Sequence, residues 1–318
     1  MTSPDPLASE LQQVLTHSRV RPGMPLAQAT TLAIGGPARC LVDVESEQDL
    51  ERLFQVLAHR QTAWAFLGKG SNVLAPDEGV DGVVIRLGKG FAEIERCGED
   101  LVRAGAGVSN PVFVRRCRAW GLGGMEFLTA IPGTLGGAVA MNAGAHGKET
   151  AAFLRSARVF RPATGLVEDL PAANLPFAYR HSPLSAQQGV VVLSAEFQLA
   201  AMTEQDMTQR EKDIQDKRRA TQPRDFPNCG SVFKNPPGDH AARLIQEAGL
   251  KGVTLGGAQV SEKHANFIVN RGGATAADVL TLVERIRAEV ERRFGIGLEM
   301  EVQPLAVHPP PVIQKSQP

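Results

Sequence analysis

Apolar positions along this chain recur in two rhythms, and the rhythms divide it into regions. Ser46-x-x-Asp49 followed by Leu50, Leu53, Phe54 and Leu57 predicts a capped helix with one apolar face. A short apolar run, Ala63 to Leu67, then enters the loop Gly68-Lys69-Gly70-Ser71-Asn72, and Val83-Val84-Ile85 reads as a strand beyond it. That is strand–helix–strand order in a small α/β unit. Strands are expected over Phe91 to Arg96 and Leu101 to Ala104, and a helix opens at Asn110-Pro111, with Asn as cap, and stops at Gly121. Arg158 to Phe160, Leu166 to Leu170 and Val190 to Leu199 read as further strands, before a polar helix over 203–219 that starts at Thr203-x-x-Asp206.

The region after that connector has its own signals. Asp239 is placed to cap a helix carrying Leu244, Ile245 and Ala248, with a stop at Gly249, and His264 to Asn270 reads as a strand. Thr275-x-x-Asp278 opens the most regular amphipathic helix, with Val279, Leu282, Val283, Ile286, Val290 and Phe294 on one stripe. Leu298, Met300 and Val302 alternate with Glu299, Glu301 and Gln303, which predicts a last strand with carboxylates on its polar face. Residues 1–28 read as a helical or irregular lead-in, and 304–318, with five prolines, as a loose tail.

Composition narrows the function classes. The chain has 318 residues, enough for two domains. Its 34 basic and 34 acidic side chains cancel, which argues against a general binder of nucleic acid or anionic membrane. With 43% hydrophobic and 21% charged residues, wholesale disorder is excluded. Cys40, Cys97, Cys117 and Cys229 form no C-x-x-C pair, so they read as free thiols of a reducing compartment, with no metal site. No signal peptide is expected from the first residues. Phe127 to Gly147 lacks Asp, Glu, Lys and Arg, yet its glycines and Pro132 make it a buried loop system and not a membrane span.

Glycine-rich loops bring backbone N–H groups onto anions, and the glycines here cluster. Gly68-x-Gly70, Gly105-x-Gly107 and Gly121-x-Gly123 lack the third glycine of the dinucleotide fingerprint, and neither Gly68-Lys69 nor Gly147-Lys148 continues into Ser or Thr as a Walker loop would. Taken singly, the loops leave nucleotide binding and tight turns both open.

Seven segments taken together decide between these. They are T-T-L-A-I-G-G-P-A from Thr30, L-G-K-G-S-N-V-L from Leu67, I-P-G-T-L-G-G-A-V-A-M-N-A-G-A from Ile131, A-Y-R-H-S from Ala178, C-G-S-V-F-K-N-P from Cys229, K-H-A-N-F-I-V-N from Lys263 and L-E-M-E-V from Leu298. In this order, over residues 30–302, the chain closely resembles the MurB family of UDP-N-acetylenolpyruvoylglucosamine reductases. The resemblance implies an α+β fold: a two-part FAD-binding module of the vanillyl-alcohol-oxidase (PCMH) type over 29–200, split near 85–90, and an α/β substrate-binding domain over 201–303. It implies non-covalent FAD, NADPH as hydride donor, and reduction of UDP-N-acetylglucosamine enolpyruvate to UDP-N-acetylmuramate in the cytoplasm, by a monomer or weak oligomer. The alternatives are another FAD oxidoreductase acting on an alcohol or sugar, and a nucleotide-binding module without chemistry.

The resemblance also assigns residues. Gly68, Lys69, Gly70, Ser71, Asn72 and Val73 would hold the FAD pyrophosphate, through backbone more than the Lys69 side chain. Pro132, Gly133, Gly137, Ala138, Met141, Asn142 and Gly144 would line the flavin. Arg180 would grip the substrate carboxylate and its enolate-like form, since a guanidinium offers two parallel donors. Ser231 would give a proton to the developing carbanion. Periodicity does not separate Glu299 from Glu301; the family's Glu-Val ending selects Glu301, expected opposite Arg180 with a raised pKa. Lys234 and Asn235 would contact substrate, Lys217, Arg218 and Arg219 are open between phosphate contact and a solvated helix end, and Cys229 and His264 read as packing. About ten residues separate Arg180 from the Val190 strand, and Tyr179 is the only tyrosine. This points to the short-loop subtype, which lacks a tyrosine lid.

Overall fold

The computed structural model describes residues 5–185 and 188–311. Among the described residues seven α-helices occur, in the order α1 (Pro6–Val14), α2 (Glu47–His59), α3 (Asn110–Ala119), α4 (Leu135–Ala140), α5 (Glu204–Thr221), α6 (Ala241–Glu247) and α7 (Ala276–Phe294). The helix signals in the sequence act locally and are met locally. Ser46 Oγ accepts from Asp49 N–H at the start of α2, Thr203 does the same for α5, and Thr275 and Asp278 form a reciprocal capping box on α7. Gly295 ends α7 at φ 67°, a left-handed position that glycine adopts without a Cβ penalty. Two caps sit one residue from where the sequence suggests. Ser109 precedes α3, and His240 precedes α6, because Asp239 turns to Arg243 and to the His240 amide.

A first five-stranded sheet runs in the order Arg19–Pro25, Pro37–Val44, Val80–Leu87, Ala63–Phe66, Val307–His308. Its three central strands are parallel and its two edges antiparallel. Both edges correct the sequence reading. Residues 19–25 form a strand where an irregular lead-in is expected, and residues 304–308 are not loose. Gln303–Pro304 pairs with Val73–Leu74, and Val307–His308 pairs with Ala63–Phe66, where His308 stacks on Trp64 with ring centroids 4.1 Å apart. Residues 312–318 of the expected tail lie outside the described residues.

A second five-stranded sheet is wholly antiparallel, in the order Leu166–Pro171, Leu154–Arg161, Val191–Gln198, Leu101–Gly105, Ile94–Arg96. The third region packs α6 and α7 against a small sheet of Thr254–Leu255, Ala258–Val260 and Ile268–Asn270. That last strand is shorter than His264 to Asn270, because Ser261, Lys263 and His264 form a turn closed on Ser261 Oγ. Leu298 to Val302 is not a ladder strand. It keeps the alternation of buried apolar and outer polar residues but has one bridge, Met300 to Phe233. The core of this region also takes in Leu32, Ile34 and Leu74 from the first sheet's loops, so the apolar interior is continuous across the junction. Among the described residues no helix is long and apolar enough to cross a membrane.

Candidate active site

A cleft of about 630 Å³ opens where the three regions meet. Its walls are loop 68–73 from the first sheet, segment 130–146 from the second, the turn carrying Arg180, the C-terminal end of α5, and segments 228–234 and 299–306.

The first loop is shaped by close contact. Gly70 stands at φ 61°, and a Cβ there would lie 2.4 Å from the Ala29 carbonyl oxygen, so only glycine fits. The loop is tied at both ends: Thr31 N–H donates to Gly70 O at 3.0 Å, and Gln303 N–H to Asn72 O at 3.0 Å. The amides of Gly68, Lys69, Gly70, Ser71 and Asn72 donate to no acceptor among the described residues. Ser71 Oγ donates to Pro132 O at 2.7 Å, which binds this loop to the second glycine-rich segment across the cleft. Clustered free amides make a nest for an anion, and the flat run of Gly133, Gly137 and Ala138 offers a surface without bulky side chains. Asn110 adds a polar atom to that wall. Its Nδ2 donates to Ile131 O at 3.0 Å, while its buried Oδ1 has no partner among the described residues. Its position before Pro111 reads as a helix start, which hides this second role in the sequence.

Arg180 and Glu301, 121 residues apart, form an ion pair at 2.6 Å with side chains only 16% and 17% exposed. The two groups expected on opposite sides of the substrate touch here. Arg180 Nη2 also donates to Gly144 O at 2.8 Å. Glu301 is fixed from behind, its N–H donating to Val232 O at 2.8 Å and its carbonyl accepting from Asn72 Nδ2 at 3.0 Å. Burial raises the Glu301 pKa, outweighing the opposing pull of Arg180 and Lys234. Glu299 differs sharply: 71% exposed and paired with Lys234 at the rim. The two carboxylates that periodicity treats as equivalent thus have different environments.

Ser231 lines the same cleft one residue before Val232, whose carbonyl anchors Glu301, and its hydroxyl engages no described residue. Arg180, Ser231 and Glu301 therefore share one cavity. Cys229 nearby is buried, and burial pushes its thiol up to about 12.

The remaining expectations divide. Of the cofactor residues, Gly68 to Val73, Pro132, Gly133, Gly137, Ala138, Met141 and Gly144 line the cleft. Asn142 does not: it is 1% exposed, with its amide spent on Glu149, Ala151 and Ala178. Lys234 lines the cleft, but Asn235 is outside it and accepts from the first amide of α6, Ala241 N–H, at 3.1 Å. Lys217 and Arg218 face the cleft, whereas Arg219 turns to Asp216. Burial beside Arg224 lowers the pKa of Arg218, and its guanidinium has Gln222 as hydrogen-bond partner. The chain between Arg180 and Val190 includes residues 186 and 187, which lie outside the described residues.

Comparison with known proteins bears on this geometry. The family described as UDP-N-acetylenolpyruvoylglucosamine reductase, C-terminal domain, matches residues 222–305, and the FAD binding domain family matches residues 38–170. The chain is 47% identical over 302 residues to UDP-N-acetylenolpyruvoylglucosamine reductase 2 of Symbiobacterium thermophilum, covering 94% of this chain and 96% of the relative. It is 40% identical over 279 residues to the reductase of Bacillus subtilis, covering 88% and 91%. The crystal structure of the enzyme from Thermus caldophilus superposes with a TM-score of 0.78 at 37% identity, over 91% of this chain and all of the other.

Proposed function

This chain belongs to the UDP-N-acetylenolpyruvoylglucosamine reductase family, and from that premise we propose how its cleft carries out the family's reaction. The reaction is the NADPH-dependent, FAD-mediated reduction of UDP-N-acetylglucosamine enolpyruvate to UDP-N-acetylmuramate, a step of peptidoglycan precursor synthesis. Bound FAD would supply the hydride chemistry that links NADPH to the vinyl carbon of the substrate.

The residues present fit that cofactor. The free amides of loop 68–72 suit its diphosphate, the small-residue segment 133–144 suits a flat ring, and Asn110 Oδ1 needs the donor that a ring or ribose offers. The protein's own work is to hold the substrate carboxylate, spread the charge and supply a proton. Arg180 is the carboxylate's partner: its fork is already turned into the cleft and held by Gly144 O. When the substrate carboxylate engages Arg180, Glu301 shares its cation with a second anion. A second anion beside it raises its pKa further, which favours the protonated form that can donate a hydrogen bond to the enolate oxygen. Ser231 Oγ–H gives its proton to the carbon that carries the developing charge. Lys217 and Arg218, at the end of α5, face the cleft as cations for phosphate. We infer that the reaction takes place in the cytoplasm.

The observation that carries this reading is the shared cleft of a half-buried guanidinium, a half-buried carboxyl of raised pKa and an unengaged hydroxyl beside a cradle of free amides. Purified chain should carry flavin and oxidise NADPH only when UDP-N-acetylglucosamine enolpyruvate is added, mole for mole. NADPH consumption indifferent to that nucleotide, or turnover of an alcohol or sugar in its place, would support the alternative oxidoreductase.

A further inference from the structure

Asn142 sits in the glycine-rich wall of the cleft, yet its side chain points away from it and is 1% exposed. Its Oδ1 accepts from Ala151 N–H at 2.9 Å, which fixes the orientation of the amide. Nδ2 then donates to Ala178 O at 2.9 Å and to Glu149 Oε2 at 3.0 Å. Ala178 is the first residue of the turn that carries Arg180. Ala178 and His181 exchange both backbone hydrogen bonds, at 3.1 and 2.9 Å, leaving Tyr179 and Arg180 as the two turn residues.

That turn needs support. Arg180 stands at φ 52°, a left-handed conformation that a residue with a side chain adopts only when its surroundings impose it. Tyr179 is 45% exposed and stacks on the guanidinium, with its ring centroid 5.0 Å away, so the turn has no buried side chain of its own to anchor it. Its backbone is held from the short segment 142–144, by Asn142 to Ala178 O, while the Arg180 side chain is held by Gly144 O at Nη2 and by Glu301 at Nε. Asn142 is itself left-handed, at φ 43°, which asparagine tolerates better than most residues.

We propose that Asn142 is a positioning residue for the reduction: it pins the Ala178–His181 turn so that the Arg180 guanidinium meets the substrate carboxylate beside Glu301. The cleft wall and the catalytic arginine then form one unit, and Asn142 acts through Arg180 without touching substrate. This inference rests on the reductase reading of the cleft.

The test is Asn142→Asp, which keeps the size and the acceptor for Ala151 but sets an oxygen against Ala178 O and Glu149. Rates are taken per bound flavin. Flavin reduction by NADPH stays within about twofold of the parent, because Arg180 is not needed for it. Reoxidation by UDP-N-acetylglucosamine enolpyruvate slows about 100-fold, the scale of a misplacement near 1 Å. In an Arg180→Lys background the same change adds less than about twofold, since both act through one group. Trypsin cleavage after Arg180, measured without substrate, rises about tenfold as the turn opens. Equal losses in the two half-reactions, fold-changes that multiply in the double variant, or unchanged cleavage would each overturn the proposal. If Asn142→Asp does not fold, Asn142→Ser is judged by the same ratio and the same cleavage. A parent chain that cannot be reoxidised by the nucleotide would sink the reductase reading, while the trypsin comparison would still decide the brace.

Discussion

Glu301 shows what one residue's surroundings add to its type. Half-buried beside Arg180, it carries a raised pKa, whereas Glu299 two positions earlier is solvated and paired with Lys234 at the cleft rim. A carboxyl whose folded pKa lies above its unfolded value favours folding most when protonated. Its stabilising contribution is complete below the ordinary glutamate pKa and is lost as pH rises through the raised one. Glu301→Gln removes that titration. Melting temperatures of the two proteins across acid to neutral pH should therefore show the parent losing ground to the variant as pH rises. A gap that is constant with pH, or that moves the other way, would contradict the raised value. At this scale the sequence is informative only through motif. Residue type and alternation leave Glu299 and Glu301 equal, and nothing local reveals that Asn142 turns inward while Gly144 stays on the cleft wall.

Elements were legible wherever their signal is local. The starts of α2, α5 and α7 follow from Ser46, Thr203 and Thr275, because a cap is a contact between neighbours three residues apart. Thr275→Ala should cost about 1 kcal/mol of stability in denaturant unfolding and leave flavin content unchanged. A loss of flavin with it would mean that α7 supports the cofactor wall directly. Strands defined by distant partners were not legible. Arg19–Pro25 shows no clean alternation because it is an edge strand with mixed burial. Val307–His308 is two residues long amid prolines, and its pairing to Ala63–Phe66 depends on a partner more than 240 positions earlier. Leu298 to Val302 shows the converse: its alternation is real, but without a ladder partner along its length it stays irregular.

At the scale of the molecule, the cleft exists because the chain returns on itself. Residues 303–308 run back along Val73–Leu74 and Ala63–Phe66, and Asn72 donates to Glu301 O, so the first loop and the carboxyl are held by one crossing. Leu32, Ile34 and Leu74 extend the third region's core into the first sheet, and Asn270 Nδ2 donates to Leu32 O at 3.0 Å. Asp77 reaches across the same junction, accepting from Ala276 and Ala277 N–H at the start of α7. A chain ended at Ala306 should lose about 2 kcal/mol through exposure of Trp64, now 4% exposed beneath His308, with tryptophan emission shifting to longer wavelength. Unchanged emission and melting would show that this edge contributes nothing. The order of the motifs along the chain revealed that such a junction must exist; which side chains bridge it depends on packing between segments that no local pattern encodes.

Anaerobic half-reactions on the parent and on Ser231→Ala test the central claim most directly. NADPH should bleach the bound flavin in both proteins at similar rates. UDP-N-acetylglucosamine enolpyruvate should then restore the colour quickly in the parent and about 100 to 10,000 times more slowly in the variant, the range expected when a positioned proton donor is removed. Equal reoxidation in the two proteins would contradict the role given to Ser231, and a parent flavin that stays reduced would contradict the reaction itself.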